Sequence, residues 1–221
     1  MFPELQRVCQ EQGIKLSKTQ LDAFAQYRDA LYKWNKNKNL TRVPIEDCDV
    51  RHFAESCLLI KFTGDRGGLL DLGTGPGLPA WPMACACPNL EVTAIDSNGK
   101  MLDFLRSQPL PNLRVLEGRV EELGTTEAYG VVTGRAFAPL SIQLECSVRP
   151  CKVGGAVIPF RSNGEEFDLD CLDQLGLEFK EVWKQPLADG RERVLPIYEK
   201  VRETPDMFPR PWAMIKKRPL D

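Results

Sequence analysis

Apolar residues at the start of the chain recur at helical spacing. Residues 3–12 read as a short helix, with Pro3 near its start and Gly13 as its stop. Ser17-Lys18-Thr19-Gln20 has the form of a capping box. Behind it Leu21, Phe24, Tyr27, Leu31 and Trp34 follow at three- and four-residue intervals, which places them on one face of a helix. That face is expected in the core and the intervening charges in solvent. A third helix is expected over residues 46–62. The pattern changes in the turn-rich segment Thr63-Gly64-Asp65-Arg66-Gly67-Gly68. Beyond it, short apolar runs at 69–72, 91–95, 113–116, 131–137 and 155–160 alternate with helical stretches that include 78–87, 100–107 and 139–148.

Strand and helix alternating at this spacing predict a parallel sheet with helices on both faces. Two further strands, 177–183 and 193–201, are joined without room for a crossover helix, so they are expected to pair antiparallel at the sheet edge. The expected fold class is α/β: a Rossmann-like, seven-stranded, mostly parallel methyltransferase sheet with an antiparallel edge pair and an N-terminal helical extension. The expected divisions are 1–62 for the extension, 63–202 for the sheet domain and 203–221 for a basic tail. Pro205, Pro209, Pro211 and Pro219 predict an extended, loop-like tail.

Composition constrains the function class only loosely. A length of 221 residues suffices for a substantial core without disulfides or metal. The formal net charge of −2 gives no bulk support for a nucleic-acid partner, so any such partner would meet a local basic surface. The eight cysteines contain no Cys-x-x-Cys, and His52 is the one histidine, so no zinc constellation and no metal is expected. Buried, reduced thiols are the expectation. The N-terminus lacks a basic stretch followed by an apolar one, and no run reaches the roughly 18 apolar residues of a membrane span. A cytoplasmic protein without a membrane partner, and a monomer, is expected.

The candidate chemistry begins where Leu69-Leu70-Asp71-Leu72 runs into Gly73-Thr74-Gly75-Pro76-Gly77, with a helix expected from Leu78. Glycines permit a tight turn and a close approach of ligand to backbone. A dinucleotide site shares this plan, but its pyrophosphate would be repelled by Asp71. S-adenosylmethionine carries a sulfonium and an ammonium, which an acid attracts. The Gly-x-Gly-x-Gly spacing also departs from the Gly-x-Gly-x-x-Gly dinucleotide fingerprint. Asp96 ends the next strand, where a carboxylate accepts from ribose hydroxyls. Read more plainly, Asp71 is a helix cap and Asp96 a turn residue.

Arg135 falls at the carboxyl end of the fourth strand, where open α/β sheets place their sites. It is a candidate to hold a purine edge or stack on a base, or else a structural ion-pair partner. His52 either faces the pocket or is a satisfied structural histidine. Lys33, Lys36, Lys38 and Arg42, with Arg210 and Lys217 of the tail, are candidate phosphate contacts or simply a solvated face. Pro150-Cys151 lies before the fifth strand rather than at the end of the fourth, which disfavours a cysteine nucleophile.

Several segments together resemble the RsmG (GidB) family of 16S rRNA guanine-N7 methyltransferases. They are Tyr32-Lys33-Trp34-Asn35 with Asn39-Leu40-Thr41, Val50-Arg51-His52-Phe53-Ala54-Glu55-Ser56, Asp71 to Pro79, Asp96-Ser97 with Lys100, Arg119-Val120-Glu121-Glu122, and Arg135-Ala136-Phe137-Ala138. The resemblance implies methyl transfer from S-adenosylmethionine to a guanine of the 530 loop, with 16S rRNA or the small ribosomal subunit as partner. It further implies that Gly73 and Leu78 line the cofactor, that Val120 and Glu121 lie near its adenine, and that Arg135 faces cofactor and substrate. Glu55 departs from the family's aspartate, Ala80 from a common glycine, and Arg161-Ser162 from Lys-Gly. Trp212-Ala213-Met214-Ile215 replaces the middle of the family's tail. The expected cofactor set is Asp71, Gly73, Gly75, Gly77, Leu78, Asp96, Val120, Glu121 and Arg135. Arg135 is also the expected catalytic residue, and His52, Lys36, Arg210 and Lys217 are expected to bind substrate. Another RNA, a small-molecule substrate, or a non-catalytic cofactor-binding module stand as alternatives, as does an NAD-dependent dehydrogenase.

Overall fold

A computed structural model describes residues 2–220. Helix α1 (Pro3–Glu11) leads into α2 (Lys18–Lys38). The Ser17 hydroxyl accepts from the Gln20 N–H while the Gln20 carboxamide oxygen accepts from the Ser17 N–H, so the capping box forms as its residues predict. Asn39, in the left-handed region at φ 50°, ends the helix. The third predicted helix is not continuous. Residues 46–62 instead form a tight turn at Ile45–Asp47, a wide π-type turn at Asp49–Ala54, and the short helices α3 (Glu55–Cys57) and α4 (Ile60–Thr63). The break turns Phe53 and Ala54 into the core on one side and leaves Arg51 and Glu55 part-exposed on the other.

Seven strands follow: β1 (Leu69–Leu72), β2 (Val92–Asp96), β3 (Leu113–Glu117), β4 (Tyr129–Arg135), β5 (Cys151–Phe160), β6 (Leu177–Pro186) and β7 (Glu192–Lys200). Their spatial order is β3-β2-β1-β4-β5-β7-β6. The first five are parallel, and β7 runs antiparallel to both β5 and β6. Between them lie α5 (Ala80–Ala86), α6 (Gly99–Arg106), α7 (Leu140–Val148) and α8 (Leu172–Leu175). Strand order reverses between β1 and β4, and that switch point is where open α/β sheets hold ligands. The fourth strand stops at Arg135 rather than reaching Phe137, because Ala136 turns the chain at φ 54°.

Both sheet faces are covered, so β1 is buried at every position. Alternate residues serve opposite cores. Leu69, Val92, Ala94, Val131 and Ile158 face the N-terminal helices, α5 and α6. Leu70, Leu72, Ile95, Val132 and Val157 face α7, α8 and the C-terminal segment. On the first side Phe2, Phe24 and Phe53 form a ring cluster with centroids 4.9–6.3 Å apart, and Trp81 stacks on Tyr27 at 4.2 Å. Edge and offset contacts of this kind add to area burial. Cys9, Cys48, Cys57 and Cys85 lie buried in this core, with Cys87 half-buried beside it.

The tail departs from its expected extended form. Residues 212–217 make a helix, α9 (Trp212–Lys217), and Phe208 and Ile215 are buried against α7 and the sheet. Prolines end the helix on its N-terminal side at Pro211 and leave the turn itself free to form. Among the described residues, no helix is long and apolar enough to cross a membrane, and no group of three or more His, Cys, Asp or Glu side chains is placed to hold a metal ion.

Candidate active site

A cleft of about 290 Å³ opens at the carboxyl ends of β1 to β4. It is lined by residues that follow each strand: Gly73 after β1, Asp96 and Ser97 at the end of β2, Gly118 to Glu121 after β3, and Ala136 and Phe137 after β4. The loop after β1 turns on three glycines at positive φ: Gly73 (64°), Gly75 (58°) and Gly77 (104°). A side chain at Gly73 would meet the Phe137 ring at 2.6 Å, and one at Gly77 would run into Leu105. The glycines therefore serve different ends. Gly73 leaves the cleft open, while Gly77 lets the loop pack on α6.

Asp71 is fully buried. Its Oδ2 accepts from the Thr74 hydroxyl (2.6 Å) and from the Ala80 N–H (3.1 Å), which caps the first turn of α5. Its Oδ1 has no hydrogen-bond partner among the described residues. Burial pushes this carboxyl up to about 7, against the pull of those two donors. A buried acid with one unused oxygen is costly unless a donor reaches it. Asp96 is arranged otherwise. Oδ2 accepts from the Gly75 N–H and Oδ1 from the Asn98 N–H, each at 2.8 Å, so it braces the loop. Each oxygen keeps a further acceptor site toward the cleft. Glu121 also turns a buried, partnerless Oε1 into this region, 3.8 Å from Arg119 Nη1 and beyond hydrogen-bond reach. Two unsatisfied carboxylate oxygens and a half-used Asp96 ask for a ligand rich in donors.

Arg135 points away from the cleft lining and into the N-terminal segment. Its Nη1 donates to the Arg51 carbonyl (2.8 Å) and to Glu55 Oε1 (3.2 Å). Its Nη2 donates to His52 Nδ1 at 3.2 Å. An arginine has no acceptor, so Nδ1 carries the lone pair and His52 Nε2–H donates to Thr41 Oγ1 at 2.8 Å. Burial, then the Arg135 charge, pulls the imidazole down to about 3. Glu55 also accepts from Arg193 Nε at 2.7 Å, and Arg193 forks onto Asp189 at 2.8 Å twice. One Glu55 carboxylate thus spans both arginines, Oε1 to Arg135 and Oε2 to Arg193.

The predicted residues thus fall into separate groups. Gly73, Asp96, Val120 and Glu121 meet at the cleft, with Asp71 beneath it. Gly75 and Gly77 shape the loop without lining the cleft, and Leu78 is buried in the N-terminal core. Lys36 is exposed on the rim of a second hollow with Tyr32, Thr41 and Arg42. That hollow touches the first network through Thr41. Lys217 is exposed on the tail. Arg210, expected at phosphate, is instead bound to the buried Glu145 through its own N–H, Nε and Nη2 at 2.8, 2.8 and 2.6 Å. A guanidinium held that way anchors the tail.

This geometry has counterparts of known name. The family model for rRNA small subunit methyltransferase G matches residues 20–184. The chain belongs to that family. Ribosomal RNA small subunit methyltransferase G of Streptococcus pyogenes serotype M1 is 34% identical over 230 residues, covering 97% of each chain. Its counterpart in Streptococcus sanguinis is 33% identical over 233 residues, covering 98% of each. A TehB-like SAM-dependent methyltransferase from Corynebacterium glutamicum shares the fold with a TM-score of 0.54 at 14% identity, covering 80% of this chain and 98% of that one.

For a member of this family, seven cleft residues lie outside the expected site set: Ile95, Ser97, Gly118, Arg119, Ala136, Phe137 and Trp212. Phe137 stands in the sequence as the expected end of a strand and within the family-like segment Arg135-Ala136-Phe137-Ala138, and Trp212 only as a departure in the tail. A bulky aromatic between prolines in an otherwise basic stretch was the available signal.

Proposed function

We propose that this methyltransferase transfers the methyl group of S-adenosylmethionine to N7 of a guanine in the 530 loop of 16S rRNA. The observation that carries the reading is the cleft at the switch point, with its partnerless acid oxygens. Asp71 Oδ1 and Glu121 Oε1 suit the ammonium and the adenine amine of the cofactor, and the free acceptor sites of Asp96 suit its ribose hydroxyls. When bound, the cofactor supplies an electrophilic sulfonium methyl.

Guanine N7 offers a lone pair and no proton, so attack needs alignment and no general base. The neighbouring residues agree with that demand. His52 is neutral, and its one ring acceptor is already occupied by Arg135. The Cys151 thiol is fully buried at the far end of β5, and burial pushes it up to about 12. Neither is placed to take a proton or act as a nucleophile. Arg135 keeps donors beyond its three bonds and stands at the end of β4, where it would orient the purine. The exposed Lys33, Lys36, Lys38 and Arg42 on one side, and Lys216, Lys217 and Arg218 on the other, would hold phosphates.

Labelled S-adenosylmethionine, offered with deproteinised rRNA and with small subunits, tests the reading. Mass-spectrometric mapping should find the label as 7-methylguanine in the 530 loop. Label at another base, or transfer only to free small molecules, would overturn the target.

A further inference from the structure

The tail crosses the outside of α7 and returns a tryptophan to the cleft. Trp212, the first residue of α9, lines the cleft together with Val120, Glu121 and Phe137. Its ring lies 6.4 Å from that of Phe137, and the Arg119 guanidinium sits 5.4 Å from its centroid. The position is held from both sides. Ahead of it, Arg210 is locked to the buried Glu145, and Arg149 donates to the carbonyls of Phe208 (2.6 Å) and Pro205 (3.0 Å). Behind it, Ile215 is fully buried. An aromatic surface fixed at both ends and left half-exposed over a cleft is a preformed stacking platform.

What would use that platform follows from its neighbours. Glu121 Oε1, in the same cleft, is buried, has Arg119 Nη1 at 3.8 Å as an ion-pair neighbour, and accepts no hydrogen bond among the described residues. Ile95 and Val120 supply an apolar floor. The combination wants a flat, neutral, aromatic group with an N–H at its edge. We propose that Trp212 supplies one face of the adenine subsite, with Glu121 accepting from the exocyclic amine and Arg119 bracing the indole. The proposal rests on the cofactor reading above and adds to it a wall drawn from the C-terminal tail. An RNA base is the less fitting occupant. It would bring phosphates toward Asp96 and Glu121, whereas adenosine brings no negative charge. The exposed cations around Lys36 lie on the N-terminal side, next to the His52–Arg135 network, and Lys216, Lys217 and Arg218 are exposed at the far end of α9.

The experiment is a calorimetric titration of the full chain with S-adenosylhomocysteine and, separately, with 5′-methylthioadenosine, which keeps the adenine and lacks the amino acid. Trp212→Ala should weaken both by about tenfold, the scale of one lost base–aromatic stack. Trp212→Leu, which keeps apolar bulk, should weaken both nearly as much, and Trp212→Phe should stay within about threefold of the parent. If Trp212→Ala does not fold, the leucine and phenylalanine variants decide the matter by the same comparison. Folded variants that all bind like the parent overturn the proposal. Unchanged S-adenosylhomocysteine binding with a raised KM for rRNA also overturns it and assigns Trp212 to the RNA. A parent protein that binds neither probe instead refutes the underlying cofactor reading.

Discussion

The two ends of the chain pack on opposite faces of the sheet that carries the cleft and are held by different forces. The N-terminal segment is glued by rings: Phe2, Phe24, Tyr27 and Phe53 pack with Trp81 and Phe104 largely edge to face, with Trp81 stacked on Tyr27, and one hydroxyl, Tyr27 Oη, reaches the Pro76 carbonyl of the glycine loop at 2.8 Å. The C-terminal strap has two buried apolar anchors, Phe208 and Ile215, is tied by Arg149 to the Pro205 and Phe208 carbonyls, and carries a buried ion pair, Arg210 with a Glu145 side chain that is 0% exposed. Apolar packing degrades gradually as volume is removed. A buried ion pair fails abruptly when one member is lost, because the other stays desolvated. The same cleft is therefore supported on one side by a tolerant wall and on the other by a brittle one.

That contrast can be broken or sharpened. The largest effect should come from Phe53→Ala, about 3–5 kcal/mol of global stability, read by urea denaturation; a loss under about 1 kcal/mol would show that the ring cluster does not carry the N-terminal side. Arg210→Ala should cost about 3 kcal/mol. The pair Arg210→Met with Glu145→Leu should regain most of it, and a double variant no better than the single one would refute the brittle-pair account. Gly73→Ala comes next. Strain in the left-handed region alone is about 1–2 kcal/mol, and its methyl would also strike the Phe137 ring, so cofactor affinity should fall further than in Gly75→Ala, where nothing lies within 4 Å. Equal losses at the two positions would argue against an open Gly73 as the reason for the glycine.

The smallest effect is in pH. Burial raises the Asp71 carboxyl from its ordinary 3.8 to about 7. Between those values the unfolded chain has released a proton that the folded chain keeps, so raising pH through that window lowers stability by this group's share, and above it the share is constant. A cation reaching Oδ1 reverses the preference. Cofactor binding should therefore tighten as pH rises from about 5 to 7, with proton release in calorimetry, and Asp71→Asn should flatten the dependence. A profile identical in the variant would remove Asp71 from the cofactor's contacts.

Legibility in the sequence followed the same divide. Helix α2 could be read from periodicity and a capping box because both are local. The alternation of runs disclosed the parallel sheet, and the short connection disclosed the antiparallel pair of β6 and β7. Asp71 and Asp96 stood out by type and place, although only coordinates separate the capping oxygen of Asp71 from its unused one. The break over residues 46–62 was hidden, since no Gly or Pro falls in that stretch to mark it. The anchoring role of Arg210 was hidden because a cation among prolines looks like a phosphate contact until its partner, 65 residues away, is known. Long-range pairing leaves no local period to detect.

The thiols turn this asymmetry into something countable. Seven of the eight are buried, and Cys87 is the half-buried exception. Cys9, Cys48, Cys57 and Cys85 belong to the ring-packed side, while Cys146, Cys151 and Cys171 belong to the core beneath the strap. Burial holds Cys85, Cys87 and Cys151 up at about 12, so alkylation at neutral pH must wait for the chain to open. Mass spectrometry of partly alkylated protein would thus act as a tally of breathing motions, residue by residue. The unmodified sequence already carries its own set of reporters for which wall of the cleft loosens first.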